Sequence, residues 1–271
     1  MAPAKVTYAC SAHYLDHFDA INLLDAQRTF LAAISDAEFR QTVRDFMVNR
    51  EFRHDYWVKG PRRLSALRQN EALHAERVIL VNHRSDVPLK VVGALGEAAM
   101  SEAIYNPILD LLADHKTRTL GEIAQGVGAK GVTFAQVVPA IMLLMGAGHL
   151  AAVQDEAIVA KVQQHTARLN AHLIDEARGS SDVAHLASPV TGGAIRVERF
   201  EQLFLMTLRQ GKKQPEEWAQ SAWQILASHG GKLLREGKAI ESAEENLAEL
   251  TSQAGIFAEK KLPILKALRI A

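Results

Sequence analysis

Two helix-start signals near the middle of this chain constrain its fold more than any other feature. Thr119 with Glu122, and Thr133 with Gln136, each follow the pattern in which a threonine and an acidic or amide side chain three residues on bond reciprocally to backbone amides. Each pattern precedes an apolar run, so it marks the first turn of a buried helix. We therefore predict two short helices separated by a tight turn.

A further helix and a short strand extend this pattern. Asn106-Pro107 predicts an earlier helix with proline at its first position, and Gly148 ends the helix that follows Thr133. Residues 149–154 then suit a short strand. Helix, short helix, turn, helix and strand is the order of a winged helix-turn-helix, so we predict a winged-helix-like domain over residues 99–155, with a plain three-helix bundle as the alternative.

The flanking segments give the predicted fold class, which is α+β and mainly helical. Residues 1–98 predict a small α+β domain, and residues 156–271 predict a helical C-terminal region. In the first of these, Ser35 with Glu38 predicts a helix start, and the helix should end near Asn49. The remaining predictions are strands over 52–58, 78–81 and 89–95, and helices over 65–75, over 157–177, from Pro215 and from Ser242.

Charge and cysteine content limit the functional classes. With 31 basic and 31 acidic residues the formal net charge is zero, so no overall field attracts this chain to nucleic acid or to a membrane surface. The single cysteine, Cys10, excludes an intramolecular disulfide and suits a reducing compartment, so we expect a cytoplasmic protein. The longest apolar run, 137–153, contains Pro139 and Gly146 and predicts a buried helix rather than a membrane span.

The third helix of the predicted winged-helix-like domain argues against DNA binding. A reading helix needs Arg, Lys, Asn or Gln at base edges, and between Thr133 and Leu150 there is no lysine or arginine, and Gln136 is the one side chain of the reading kind. We therefore expect no nucleic-acid partner. A winged-helix DNA-binding transcription regulator stays open as the alternative function, distinguishable by the salt dependence that phosphate contacts impose.

Two motifs that suggest a cofactor or a metal have simpler interpretations. Gly126 to Gly131 matches the dinucleotide pattern G-x-G-x-x-G, but a helical turn precedes it instead of a strand, which predicts a turn between helices. His13 and His17 are four residues apart, as in H-E-x-x-H zinc sites, but Tyr14 stands where the glutamate would be. An enzyme working at the junction of the first two domains has only such scattered histidines in its favour. We predict no catalytic residue and no metal ligand in this chain.

The segment 50–59 is the densest candidate binding region, because it mixes arginine, aromatic and acidic side chains. Such residues combine large contact area with directed polar groups and are enriched at recognition sites. The candidate binding residues are Arg50, Arg53, Asp55 and Trp57. The alternative is a half-buried strand with Phe52, Tyr56 and Trp57 in the core and solvated charges opposite.

This segment also carries a family resemblance. Arg44-Asp45-Phe46, Asn49-Arg50 and Phe52-Arg53 resemble the signature of the predicted methyltransferase regulatory domain, and Leu186 to Val190 is similar to the C-terminal region of proteins that carry this domain, including bacterial protein lysine methyltransferases. The resemblance implies a non-catalytic regulatory or substrate-recognition region. Its partners would be a catalytic domain in cis or in trans and a protein substrate. S-adenosylmethionine is then expected on the catalytic domain, which is missing here, and no cofactor in this chain.

Overall fold

The computed structural model describes residues 4–235 and 237–271, and the chain divides into two compact units, Met1–Ala152 and Val153–Ala271. Of this structure, 55% is helical, and its sheets are small and antiparallel, which confirms the predicted mainly helical α+β class. The division into domains at residues 98 and 155 stays a prediction.

The first unit contains seven helices and seven strands among its described residues. The strands are β1 (Val6–Ser11), β2 (Asp55–Lys59), β3 (Arg77–Leu80), β4 (Lys90–Gly93), β5 (Gly96–Ala99), β6 (Arg118–Thr119) and β7 (Leu150–Ala152). The helices are α1 (Asp19–Asn22), α2 (Asp25–Ala32), α3 (Ala37–Met47), α4 (Ala66–Ala75), α5 (Glu102–Leu112), α6 (Leu120–Val127) and α7 (Phe134–Gly146). A 3₁₀ turn covers Tyr14–His17.

The core of the first unit forms around β3. This strand lies at the centre of a three-stranded sheet in the order β6-β3-β7, and both pairings are antiparallel. Val78, Ile79 and Leu80 are each at most 2% exposed, as expected of a short apolar strand covered on both faces. Side chains from α5, α6 and α7 pack against it, among them Ile108, Leu112, Ile123, Val137 and Leu144.

The local signals for α6 and α7 are confirmed. The Thr119 hydroxyl accepts a hydrogen bond from the Glu122 amide at 3.0 Å, and the Glu122 carboxylate accepts one from the Thr119 amide at 2.7 Å. Thr133 and Gln136 form the second reciprocal pair. The predicted start of α5 is wrong, because the helix begins at Glu102 and contains Pro107 in its interior.

The start of α3 also differs from the prediction. Asp36, not Ser35, is the residue before the helix, and its carboxylate accepts a hydrogen bond from the Phe39 amide at 2.7 Å. Both residue types suit this position, and a charged acceptor also interacts favourably with the positive end of the helix. The predicted strands 78–81 and 89–95 exist as β3 and β4. They do not pair with each other, because β4 forms a hairpin with β5.

The second unit is mostly helical. Its helices are α8 (Glu156–Glu176), α9 (Arg199–Arg209), α10 (Pro215–Ser228), α11 (Ala243–Ile256) and α12 (Leu262–Ala267), with a π-helical turn at Phe257–Lys261. The strand pairs are β8 (His185–Ala187) with β9 (Ala194–Arg196), and β10 (Leu234–Arg235) with β11 (Lys238–Ala239). Sequence reasoning missed α9, because glutamates at positions 198 and 201 form its capping pair in place of a Ser or Thr cap. In the core of the second unit, the ring of Phe257 contacts the rings of both Phe204 and Trp218.

Two buried asparagines fix the backbone of the second unit. Asn170 on α8 is fully buried and forms two hydrogen bonds of 2.8 Å with the backbone of Ala187 on β8. Asn246 on α11 is equally buried and bonds to the backbone of Leu233, Ile240 and Ser242. Each side-chain amide bonds to backbone N–H and C=O groups that lie outside its own helix. Both asparagines therefore define where loops attach to helices.

In the part of the chain that the structure describes, no single helix is both long enough and apolar enough to cross a membrane, although the bent pair Leu120–Lys130 and Phe134–Gly146 meets those criteria jointly.

Candidate functional site

A polar cleft of 370 Å³ lies in the first unit, beside β1, β2, α2 and α3. It contains most of the charged side chains of the N-terminal segment, and we call it the Asp55 cleft. Its lining residues are Tyr8, Ser11, Asp16, His17, Asp19, Arg28, Leu31, Ala32, Arg40, Gln41, Arg44, Asp45, Arg53 and Asp55. This volume suits one side chain or a small molecule.

The β1–β2 pairing decides which side chains face this cleft. Tyr8 lies opposite Trp57, and the register shifts between Tyr8 and Cys10, which indicates a bulge. The two rings meet edge to face, with their centroids 5.7 Å apart. Along β2, Asp55 and Trp57 are half-buried whereas Tyr56 and Val58 are exposed, as strand alternation requires. Asp55 therefore points inward on the same strand face as Trp57.

Arg53 is the central cation of the cleft. Its Nε lies 3.0 Å from Asp55 Oδ2, and its Nη1 lies 3.4 Å from Asp45 Oδ2, so one guanidinium forms ion pairs with two carboxylates. Its Cζ is 5.8 Å from the centre of the Tyr8 ring. Burial raises the pKa of Asp45 above its ordinary value; the nearby Arg53 opposes this shift and Asp55 adds to it.

The other carboxylates of the cleft have cations of their own. Arg50 Nη2 lies 2.5 Å from Asp16 Oδ1. Arg44, only 7% exposed, donates to the Asp16 carbonyl at 2.8 Å and lies 3.6 Å from Asp19 Oδ1. These contacts attach the 3₁₀ turn to α3 and to the segment before β2. Asp45 and Asp55, by contrast, have one contacting cation between them, Arg53.

The structure brings together only part of the sequence-predicted set. Arg53 and Asp55 are in direct contact in the cleft, and Trp57 packs behind them on Tyr8. Arg50 reaches the same region through Asp16, and it also lines a second cleft, which contains Phe52. Because all four candidates have contacts within the chain, their role in binding a partner stays a prediction.

Sequence reasoning missed other members of the cleft. Tyr8, Asp45 and Arg44 belong to it as much as Arg53 does. Arg44-Asp45 is part of the family signature, so the sequence did contain a signal for these two residues. An arginine and an aspartate are common on helix surfaces, however, and their sequence positions do not show what they contact. Tyr8 carries no local signal, because its place depends on pairing with a strand far along the chain.

The interpretation of Phe52 and Tyr56 as core residues is wrong. Phe52 is 80% exposed and precedes β2, while Tyr56 is 61% exposed on its outer face. Alternation predicts two faces for a strand but does not tell which of them is covered. On α3, Phe46 is 84% exposed and Phe39 59% exposed, so both aromatic side chains of this helix lie on the surface.

The glycine and histidine motifs have structural roles. Residues 126–131 span the end of α6, a 3₁₀ turn and Gly131, whose φ of +81° favours glycine, which confirms the predicted turn between helices. His13 Nε2 lies 3.0 Å from His54 Nδ1, and His17 Nε2 lies 3.0 Å from the Ser11 carbonyl oxygen. Across residues 4–235 and 237–271, no three His, Cys, Asp or Glu side chains are grouped to hold a metal ion.

Comparison with known proteins identifies the first part of this chain. Residues 1–59 match the family model of the predicted methyltransferase regulatory domain. An uncharacterized protein of Synechocystis sp. is 35% identical over 268 residues, which cover 99% of this chain and 52% of that protein. The chain thus spans about half the length of the curated relative that it matches.

Two solved structures share the fold. PKMT2 from Rickettsia typhi, in complex with AdoHcy, aligns with 95% of this chain and 55% of its own length at a TM-score of 0.54 and 14% identity. A second structure of PKMT2 aligns with 99% of this chain at the same TM-score. The predicted resemblance to the methyltransferase regulatory domain is confirmed for residues 1–59, and the fold likeness extends over nearly the whole chain.

Proposed function

We propose that this chain is a non-catalytic regulatory and substrate-recognition region of an S-adenosylmethionine-dependent methyltransferase that acts on proteins. The match of residues 1–59 to the regulatory domain supports the methyltransferase connection. The likeness to PKMT2, a protein lysine methyltransferase, supports a protein substrate. In this proposal a catalytic domain, in cis or in trans, binds the cofactor and transfers the methyl group.

One observation carries the proposal: the segment that matches the regulatory domain contains five aromatic residues that are each more than half exposed. We call these five residues the aromatic set, and they are Phe30, Phe39, Phe46, Phe52 and Tyr56, exposed by 57%, 59%, 84%, 80% and 61%. Large aromatic side chains gain most from burial and are enriched where one protein contacts another. Exposed at this density, they indicate that the segment contacts a protein partner, which we take to be the catalytic domain.

We propose a supporting role for the helices that follow. The order α5, β6, α6, α7 and β7, together with β3, suits a winged-helix-like fold, and α6 with its 3₁₀ extension meets α7 at 117°, within the range of helix-turn-helix pairs. In α7, Val137, Ile141 and Leu144 are buried, and no residue from Phe134 to Gly146 is basic. A buried, uncharged third helix favours a scaffold over a DNA reader.

The test compares variants of the aromatic set with a matched control. The tagged full chain is isolated from its source cells, and the eluate is assayed for transfer of labelled methyl groups from S-adenosylmethionine to protein. We expect Phe46→Ser with Phe52→Ser to lower the co-eluting activity at least tenfold. Leu67→Ser, a similar change at a side chain that is 69% exposed and lies outside the matched segment, should leave that activity unchanged.

The melting temperature separates a lost partner from a lost fold. Replacing exposed apolar side chains changes the free energy of unfolding by no more than about 0.5 kcal/mol, so both variants should melt like the unmodified chain. Unchanged activity in the double variant, or a folding collapse in it, would contradict the proposal. Arg53→Ala is a poorer test, because it leaves Asp45 and Asp55 without their shared cation.

The alternative function, DNA binding, has its own measurement. A DNA-binding protein loses affinity steeply as salt rises, because its cationic side chains release counterions from the phosphates. We expect mobility-shift titrations at two salt concentrations to detect no specific complex.

A further inference from the structure

The Asp55 cleft contains a buried carboxylate oxygen that has no partner. The Asp55 side chain is 7% exposed, and its Oδ1 makes no hydrogen bond, although Oδ2 lies 3.0 Å from Arg53 Nε. A desolvated carboxylate oxygen without a donor costs free energy, and native structures rarely keep one without a reason. Among the described residues the other buried side-chain atom without a partner is Gln202 Oε1, which lies in the second unit.

The charges around Asp55 define what would satisfy this oxygen. Asp45 and Asp55 share the single guanidinium of Arg53, whereas Asp16 pairs with Arg50 and Asp19 lies beside Arg44. Of the other two lining arginines, Arg28 pairs with Asp25 outside the cleft, and Arg40 donates to the Ile34 carbonyl. The Asp45–Asp55 end of the cleft therefore has two carboxylates against one guanidinium in direct contact, while Arg44 and Arg50 act on Asp45 from a greater distance. A ligand that brings a donor and a positive charge would meet both requirements at once.

Part of the remaining wall suits an aliphatic stem. Tyr8, Leu31 and Ala32 line the same cleft, and the volume of 370 Å³ is that of a single long side chain with room for water. Basic side chains combine a carbon stem with a terminal cation, and they place the stem along apolar surface while the charged end seeks a carboxylate.

We propose that the Asp55 cleft binds an organic cation, an alkylammonium or guanidinium group at the end of a basic side chain of a protein partner, with the buried Asp55 carboxylate as its acceptor. That the carrier is a protein rests on the proposed function, whereas the preference for a cation rests on the cleft alone. Asp55 would act as a binding residue and Arg53 as a positioning residue that holds both carboxylates.

The experiment is a titration of the isotope-labelled full chain, followed by the backbone amide NMR signals of residues 8, 45 and 55. The probes are Nα-acetyl-lysine methylamide, its uncharged isostere Nα-acetyl-norleucine methylamide, and methylammonium, which has the charge without the stem. We expect saturable shifts at these amides with the lysine compound, at least tenfold weaker binding of the norleucine compound, and weaker binding of methylammonium than of the lysine compound.

Two variants locate the site. Asp55→Asn keeps the shape of the side chain and removes its charge, so it should weaken binding of the lysine compound at least tenfold. The matched control is Asp175→Asn, which makes the same change at an exposed ion pair of the second unit, where no residue lines the cleft. Should Asp55→Asn fail to fold, Asp45→Asn serves instead. It removes the charge of the other carboxylate that contacts Arg53, and it should also weaken binding of the lysine compound at least tenfold.

Each contrary result removes a defined part of the proposal. Equal binding of the lysine and norleucine compounds, or no binding by either, would overturn the preference for a cation. If methylammonium binds as tightly as the lysine compound, the claim that the cation is carried at the end of a side chain would be wrong. Shifts confined to other amides would overturn the location. None of these titrations uses a methyltransferase, so failure here is distinguishable from loss of the co-eluting activity in the aromatic-set variants.

Discussion

Asn22 is the attachment point between the N-terminal segment and the β4–β5 hairpin, and its removal should loosen that attachment. The side chain is 8% exposed. Its Nδ2 donates to the carbonyls of Leu15 and Phe18 at 2.7 and 2.9 Å, and its Oδ1 accepts from the Ala94 amide at 3.0 Å. One amide thus joins the turn before α1 to the tip of the hairpin.

The expected cost of Asn22→Ala follows from what each partner loses. Both carbonyls keep a backbone donor, the amides of Phe18 and Ile21, so losing the asparagine costs about 1 kcal/mol for each. Ala94 is exposed, so its amide exchanges the asparagine oxygen for water, and losing this bond adds about 1 kcal/mol. The free energy that holds the hairpin against the segment should therefore fall by about 3 kcal/mol.

Hydrogen exchange at the Leu95 amide gives a local readout of this loss. That amide donates to the Ile21 carbonyl at 3.1 Å, a bond between the same two segments that Asn22 does not make. A loss of about 3 kcal/mol should accelerate its exchange roughly a hundredfold. A local measurement is preferable, because the two units need not unfold together.

The control is Asn70→Ala on α4, where the residue is exposed and its side chain has no part in this attachment. It should leave the exchange of Leu95 unchanged. An acceleration of less than threefold in Asn22→Ala, or an equal acceleration of amides throughout the second unit, would refute the assignment of Asn22 as the attachment point.

Three further changes test other parts of the first unit. Thr119→Ala removes the acceptor for the Glu122 amide and should lower the free energy of unfolding by about 1 kcal/mol in urea titrations. Gly93→Ala would place a Cβ 2.2 Å from the Ile21 carbonyl oxygen, a backbone atom, and should destabilise the chain by about 1–3 kcal/mol in the same assay. The hydrogen bonds of Arg118 lower the pKa of Asp114, so their contribution to stability is full above the ordinary aspartate pKa of about 4 and is lost as the pH falls below it. Arg118→Gln should flatten the dependence of stability on pH between about 5 and 2, and equal slopes in both proteins would contradict this.

The helix boundaries that depend on neighbouring residues were predictable from the sequence. The capping pairs at Thr119 and Thr133 and the proline start of α10 at Pro215 each involve residues within one helical turn. The same local reasoning chose Ser35 over Asp36, because two suitable caps stand side by side and only the tertiary path decides between them.

The Asp55 cleft was only partly predictable, because its members come from distant parts of the chain. The composition of 50–59 indicated Arg53 and Asp55, and these are in contact. The pairing of Tyr8 with Trp57 and the sharing of Arg53 with Asp45 depend on non-local contacts that no periodic pattern encodes. The outward position of Phe52 and Tyr56 was unpredictable for a related reason: a lone strand pair leaves one face uncovered, and alternation does not identify it.

The central place of β3 affects how the chain is made. Its partners, β6 and β7, follow it in sequence, and Leu80 pairs with Leu150, roughly 70 residues later. At about 5–20 residues per second, translation leaves this apolar strand without its second neighbour for roughly 4–14 s. Until β7 is made, at least one edge of β3 can pair with another chain. A nascent chain that stalls between β5 and β7 should therefore be a substrate for chaperones or proteases, since the strand that organises the core would still lack the sheet that protects it.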